Sequence, residues 1–550
     1  MNLYKIGLLC LIFGILVNVG ITNAAVIECD SCESCNEAIK NAPAGSTIIL
    51  TKDITCTNHG KPCILFDKKE DITFDCDGHS ILSSIIAPDF EEDGIYINNS
   101  ENVVIKNCEI KGFHESIERF HENIEIENSL SISIRNNKLN DCFWKCISTT
   151  NLRNSLIEGN EIRGSIQLKG ESIIVKNNSI SQIELSGNYH TIEKNEISGG
   201  ITVRGGTSWT PVDKRGHGHL IKENELKNHG IFLVFTNNNT IERNKIINTG
   251  YEDGIWLDNV RNTAIKNNII RDTYIGVKIT ESFDIIVDSN IIVSSKAEGI
   301  ELIRLKNGKI INNKIGWSMG GVYYIDHTYK YGYGNGISLY WGGNKNVLIE
   351  GNEICKSGYT YVPPETEPIS ADILVGKAFP PNENITIKGN KCNKILLGQS
   401  SVPGDYETKK SCDIPFEGEC IFPEVINEIT CEPDCTYNVD NRCHSECDGI
   451  NGCSFYDEIT KEKCKGISKG SVISYNTSYK VSCCTGSPFY SPSVIITLSK
   501  GWNIISSPIK TPLTISKIEE FCSLEPYKGY KMWTYDPINN WTNPTEVKSD

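Results

Sequence analysis

The chain has 550 residues, of which 39% are hydrophobic and 22% charged, with a formal net charge of −15. That length allows several domains or one long domain with appendages. The negative balance excludes nucleic acid and anionic membrane surfaces as natural partners, and it weighs against strongly acidic polymers unless basic residues are gathered locally.

Residues 1–25 read as a signal peptide: Lys5 gives a basic start, "IGLLCLIFGILVNVG" an apolar core and "ITNAA" a small-residue cleavage site. The apolar run is short for a membrane span, and no later stretch approaches that length, so no span is expected after cleavage. Cysteine usage agrees with export. Of 23 cysteines Cys10 leaves with the signal, and the even remainder suits a disulfide framework in an oxidising compartment. The expected location is extracellular, at the cell surface, and the protein is expected to be monomeric.

Cys29, Cys32 and Cys35 have a C-x-x-C-x-x-C spacing that could suggest a metal cluster, but with Cys56, Cys63 and Cys76 close behind, disulfides around a helix end fit better. The next segment, "EEDGIYINN", gathers Glu91, Glu92 and Asp93. Hard oxygens of this kind could bind calcium, and an acidic edge that blocks end-to-end stacking explains them equally. No other metal or cofactor is expected.

From residue 93 a repeat dominates. Segments such as "ISIRNNKLN", "LIEGNEIRG", "HLIKENELK", "NTIERNKII" and "VLIEGNEIC" align on one asparagine. The column runs Asn137, Asn160, Asn178, Asn195, Asn224, Asn244, Asn268, Asn290, Asn313, Asn352 and Asn390, with Cys108 one coil earlier. A second short alternating strand, "IYINNS", "ITVRGG", "IWLDNV" or "IELIRL", recurs in each unit. Period-two alternation buries one face and exposes the other. Two or three such strands in a unit of roughly 22 residues suit a parallel solenoid, not hairpins. Asparagine has a physical reason there: it tolerates a left-handed bend, and its amide can bond to the asparagine of the next coil. The fold class predicted is all-β, a right-handed parallel β-helix of about twelve coils, roughly 60 Å long at the strand spacing of a sheet.

These segments carry a resemblance. "CNEAIKNAPAGSTIIL" resembles the helix and first strand that cap pectin-lyase-like β-helices, and "ITFDCDGHSI" is similar to their first coil. The Asn-rich coils resemble the NosD-like carbohydrate-binding and sugar-hydrolase repeats of surface proteins. The resemblance covers roughly residues 30–400 and implies the fold. It leaves activity open, because that fold hosts lyases, hydrolases, epimerases and plain binders.

Within the repeat, Gly216-His217-Gly218 is the tripeptide that polygalacturonases carry in their active site. That family places acids on successive coils, with the histidine just ahead of a groove strand. Here "NTGYEDGIWLDN" resembles its Asn-Thr-Asp strand through Asn248, Thr249 and Asp253. The next coil, "RDTYIGVKITES", offers only Asp272 where paired aspartates belong, and the tripeptide comes two coils early, ahead of the Asn-column strand. A pectin hydrolase is therefore disfavoured. His217 and His219, with Asp213 nearby, would face one side of an extended strand and could bind a transition metal, but a third ligand is missing and solvated loop histidines are the simpler reading.

Alternation lists what the second strand displays. Successive coils offer Arg204, then Phe232 with Val234, Trp256 with Asp258, Lys278 with Thr280, Glu301 with Arg304, and Ser338 with Tyr340 and Trp341. Two long loops flank this row: 205–219 carries Trp209, and 316–336 is rich in tyrosine, Tyr324 among them. Aromatic faces alternating with charge suit sugar rings, whose C–H faces stack while their hydroxyls are hydrogen-bonded. The substrate-binding residues expected are Arg204, Trp209, Trp256, Tyr340, Trp341 and Tyr324.

Lys278 is the candidate for chemistry, with Asp258 and Glu301 expected one coil to either side. In β-elimination of a uronate it would abstract the C5 proton while Arg304 neutralised the carboxylate. Two flanking carboxylates would raise its pKa and work against that role, and a solvated charge ladder is the plainer account. The sequons at Asn98, Asn177, Asn238 and Asn384 permit glycosylation, and several adjoin the asparagine column.

After Leu397 the pattern stops. The organisation expected is a signal peptide at 1–25, an N-terminal cap and first coils at 26–92, the β-helix at 93–400 and a linker at 401–430. A Cys-rich module follows at 431–485, where eight cysteines suggest disulfide stapling. Residues 490–550 resemble the start of a β-rich surface-protein module, whose next glycine-aromatic strand would lie beyond Asp550. Three functions stay open: a secreted binder of extracellular polysaccharide or cell-surface glycan without catalysis, a lyase, epimerase or hydrolase on a uronate-containing glycan, and a protein-binding adhesin using loop 316–336.

Overall fold

The computed structural model describes residues 24–416, apart from segments 57–60, 84–92, 114–121, 143–144, 319–320, 326–327, 358–370, 377–379 and 399–407 and single positions between them; beyond 416 it describes only short strands. The chain divides into two compact units, Met1–Ile421 and Phe422–Asp550. The expected linker, Cys-rich module and C-terminal β module therefore lie almost wholly outside the described residues.

The first unit is a right-handed parallel β-helix. Each coil contributes three short strands. Those of the first face join into a 15-stranded sheet from Val26–Cys29 to Glu383–Lys388. In the coil at 240–258, Thr240–Glu242 lies on that face, Lys245–Ile247 on the second and Ile255–Asp258 on the third. Each strand pairs in parallel with its counterpart one coil on. Helix Cys32–Asn41 begins at Ser31, whose side chain accepts from the Ser34 amide, and buries Ile39. Thr408–Lys410 pairs antiparallel with Ile395–Leu397 near the other end.

Between the first and second faces runs the asparagine column, unbroken from Cys108 to Asn390. The amide nitrogen of Cys108 donates to Asn137 Oδ1 at 2.9 Å. Each later member up to Asn352 donates both its backbone N–H and its side-chain Nδ2 to the Oδ1 of the next, as Asn268 does to Asn290 at 2.9 Å each. The left-handed bend falls one residue earlier than expected. Asn136, Asn267 and Asn312 adopt it, and so do Lys194, Glu223 and Arg243. The column asparagine keeps its side chain pointed inward for the ladder, and the exposed residue before it makes the turn.

Aliphatics fill the interior. On the third face Ile255 and Leu257 register with Val277 and Ile279, then with Ile300 and Leu302, all fully buried. A glycine opens most of these strands. A Cβ on Gly276 would stand 2.3 Å from an Ile292 methyl and 2.5 Å from the Gly299 carbonyl oxygen. The outer side of the first sheet is a ladder of opposite charges: Asp75–Lys106, Glu158–Lys176, Glu193–Lys222 and Glu242–Lys266 close at 2.9–3.1 Å across adjacent coils.

Disulfides join Cys29–Cys35, Cys56–Cys63, Cys76–Cys108, Cys142–Cys146 and Cys392–Cys412. Cys32 packs against the Cys56–Cys63 bridge. No helix among the described residues is long and apolar enough to cross a membrane.

The loop histidines are not solvated alike. Gly218 turns at φ 76°, which breaks the strand alternation and sends His217 and His219 to opposite sides. His217 meets the Tyr189 hydroxyl at 2.9 Å. His219 is buried, stacked on His190 at 5.2 Å between ring centres, and neither of its ring nitrogens finds a partner. The tripeptide leads into Leu220–Lys222 on the first face, and Gly216 bonds to the Gly205 carbonyl in the turn just past the third-face strand.

Two measurements test this frame. Asn268→Ala strips the acceptor from two Asn244 donors in a dry column and should cost about 2–4 kcal/mol in denaturant unfolding. Burial, with the His190 and His217 charges, lowers the His219 pKa to about 3. As pH falls below the unfolded value near 6.5 only the unfolded chain takes this proton, so stability is lost down to about pH 3. Relative to His219→Leu, wild-type stability should drop by about 1.4 kcal/mol per pH unit between pH 6 and 4.

Candidate functional site

The third face departs from the charge ladder. Its outward row registers Thr202 with Phe232, Phe232 with Trp256, Trp256 with Lys278, Lys278 with Glu301 and Glu301 with Ser338. Successive coils set these side chains about 4.8 Å apart. Phe232 and Trp256 stack at 4.5 Å between centroids, and the Lys278 ammonium sits 5.5 Å from the Trp256 ring centre. Glu301 is held on both oxygens: Oε1 accepts from the Trp341 indole N–H at 3.0 Å, and Oε2 faces Lys278 Nζ at 3.5 Å.

The second carboxylate on Lys278 is not Asp258. Asp258 registers with Thr280, in the neighbouring outward row, so strand geometry carries it past the lysine. Asp253 takes that place at 3.9 Å, from the turn two residues before the strand. Glu298, also ahead of its strand, adds its charge to the same lysine. Both acids directly precede the glycines that open these strands, in "EDGIW" and "AEGIE". That shared position was the signal for them, and alternation within the strands alone could not show it.

Arg304 also falls outside the expected arrangement. It occupies the left-handed turn after the strand, at φ 54°, and pairs with Glu281 of the coil before at 3.0 Å. The turn swings it away from Lys278. Arg204 heads the adjacent outward row, in register with Val234, and is exposed. Trp209 is 91% exposed on its loop, and Trp341 is 53% exposed beside Glu301. Tyr324 lies in a β-hairpin of Gly321–Ile325 against Thr328–Gly332, which forms most of the aromatic loop. Tyr340 lies outside the described residues.

Charge follows burial here. Desolvation pushes the Lys278 pKa down, but the Asp253 and Glu301 carboxylates outweigh it and hold the ammonium above the ordinary lysine range. Lys278 thus stays protonated at neutral pH. Asp258 is half-buried, and desolvation raises its pKa.

A related group lies several coils toward the N-terminus. Asp93, Glu122 and Glu125 occupy the positions of Asp253, Glu298 and Glu301, with ligand atoms within 4.8 Å of one another. Desolvation first, then the Glu125 charge, raises Asp93 to about 8 and Glu122 to about 7. Lys145, one coil further on, draws Glu122 and Glu125 the other way without cancelling the rise. Glu91 and Glu92 lie outside the described residues.

A family model described as "Right handed beta helix region" matches residues 164–354. Among solved structures, PfbA, a surface adhesin of Streptococcus pneumoniae, aligns at 15% identity and a TM-score of 0.37, over 57% of this chain and 89% of its own. A mutant of the periplasmic alginate epimerase AlgG aligns at 14% and 0.33, over 66% and 85%. The A-module of the Azotobacter vinelandii mannuronan C-5 epimerase AlgE6 aligns at 12% and 0.33, over 69% and 98%. Comparison of the sequence with functionally described proteins found no match. These likenesses concern the fold and carry nothing about what this chain binds.

The half-buried ion pair gives a stability test. Lys278→Met strips Glu301 of its counter-ion and should cost about 3 kcal/mol in denaturant unfolding, most of which Glu301→Gln in the same chain should restore.

Proposed function

We propose that this chain is an exported β-helix protein that binds an extracellular polysaccharide along the outward row of its third face, without needing to cleave it. One observation carries the reading: Phe232 and Trp256 stack in line with the Lys278–Glu301 pair, with Trp341 bonded to Glu301 at its far side. Aromatic faces for ring C–H groups, next to fixed donors and acceptors for hydroxyls, make up the chemistry of a sugar site. Elsewhere the β-helix closes its outer charges against each other, as the first face does. Export is supported by the disulfides and by the apolar segment at residues 1–25.

Lys278 serves this reading as a fixed hydrogen-bond donor. As a general base it would have to lose a proton that two carboxylates hold on it, so the elimination chemistry loses its base. A hydrolytic version keeps one supporting observation. Asp253 and Glu301 lie 3.9 Å and 3.5 Å from Lys278 Nζ, so their facing oxygens are at most 7.4 Å apart. Carboxyl pairs in glycoside hydrolases stand roughly 5–9.5 Å apart.

Retention of the purified chain on immobilised polysaccharides, with reducing ends and unsaturated uronate absorbance followed in parallel, tests both. We expect retention on at least one polysaccharide, no ultraviolet signal, and a loss of about tenfold in affinity for Trp256→Ala at unchanged melting temperature. Retention untouched by Trp256→Ala would move the site off this face, and no retention on any polysaccharide would end the reading.

A further inference from the structure

We infer that the site around Lys278 selects a glycan without anionic groups, a neutral hexose or N-acetylhexosamine polymer, and rejects uronates. This rests on the carbohydrate-binding reading above and names its ligand class.

The argument is a local charge balance. A uronate site needs a cation left over for the sugar carboxylate. Lys278 has none left over: Glu301 faces it at 3.5 Å, Asp253 at 3.9 Å, and Glu298 adds a third negative charge. The other cations nearby are engaged as well. Lys296 is buried and gives its ammonium to the Gly250 carbonyl, and Arg304 pairs with Glu281. Even with Lys296 counted against the three acids, the immediate site keeps a negative excess. A sugar carboxylate laid on Trp256 would reach only the Lys278 ammonium, whose charge Glu301 and Asp253 already compensate, and a carboxylate one coil further on would face Glu301, which is 6% exposed and poorly screened by water.

The rest of the face repeats the sign. Among the described outward positions Asp67, Glu125, Glu127, Glu184 and Asp258 stand against Lys169 and Arg204. A polyanion lying along the helix axis would therefore face repulsion over several coils. The groups that remain suit an uncharged sugar: the Phe232 and Trp256 rings offer apolar faces, and the compensated Lys278 ammonium still donates hydrogen bonds to hydroxyls.

The test uses the full chain and hexasaccharide probes by isothermal titration at low and at physiological salt: cello-, manno- and chito-hexaose against hexagalacturonate and hexamannuronate. The expected result is that a neutral probe binds at least about tenfold tighter than either uronate, with an affinity almost independent of salt. Asp253→Asn with Glu301→Gln should free the Lys278 charge and raise uronate affinity about tenfold while the neutral affinity changes less. A uronate preferred by wild type, with affinity that falls as salt rises, overturns the inference and leaves the carbohydrate reading standing. Binding of no probe, joined to no retention on any polysaccharide, removes both. If the double variant does not fold, the wild-type comparison decides alone.

Discussion

The continuous asparagine ladder is the constraint on which the rest of the structure depends. In each coil the column residue gives two donors to the next and receives two from the one before. Its Nδ2 also reaches a carbonyl inside the preceding coil's first-face strand, as Asn268 does at Ile241. Such a column holds neighbouring coils in register, because a slip of one residue would orphan several buried polar groups at once. Register in turn decides which outward residues meet. Trp256, Lys278 and Glu301 adjoin because three coils are aligned by Asn244, Asn268 and Asn290.

Given that register, the outer faces follow two designs. On the first face many charges find an opposite charge one coil away, in water, and each pair is worth little. On the third face the lysine is half-buried between carboxylates and aromatic rings, where an ion pair must be well built because desolvation is expensive. A solenoid needs only the first design to stay folded. The second costs more and organises donors, acceptors and ring faces in one line, which is what binding a chain-like ligand requires.

The same frame fixes where Gly216-His217-Gly218 falls in its coil, directly ahead of a first-face strand. One positive φ at Gly218 parts the two histidines, so one joins a surface tyrosine and the other enters an otherwise largely aliphatic interior column. A tripeptide is read by position in the coil, and this one precedes a strand of the first face. Polar residues in the interior column are not confined to His219; His190 and Asn239 adjoin it, and His219 takes its place there at the expense of two unpaired ring nitrogens.

Much of this was legible in the residue order alone. Period-two alternation and the recurring asparagine gave the parallel β-helix, the column members from Asn137 to Asn390 and the outward sequence Phe232, Trp256, Lys278, Glu301, because strands stack coil on coil while the varying coil length is taken up in loops between them. The sequence by itself could not say which turn residues lean onto a strand. Asp253 and Glu298 reach Lys278 from the bend before their strands, while Arg304, one residue past its strand, is swung off to Glu281 by a left-handed turn. Strand alternation determines sides; backbone dihedrals at the turns determine direction, and those depend on the packing of adjacent coils. Tertiary structure therefore decided that Lys278 is a compensated cation and not a free one, and with that the sign of charge along the outward row of the third face.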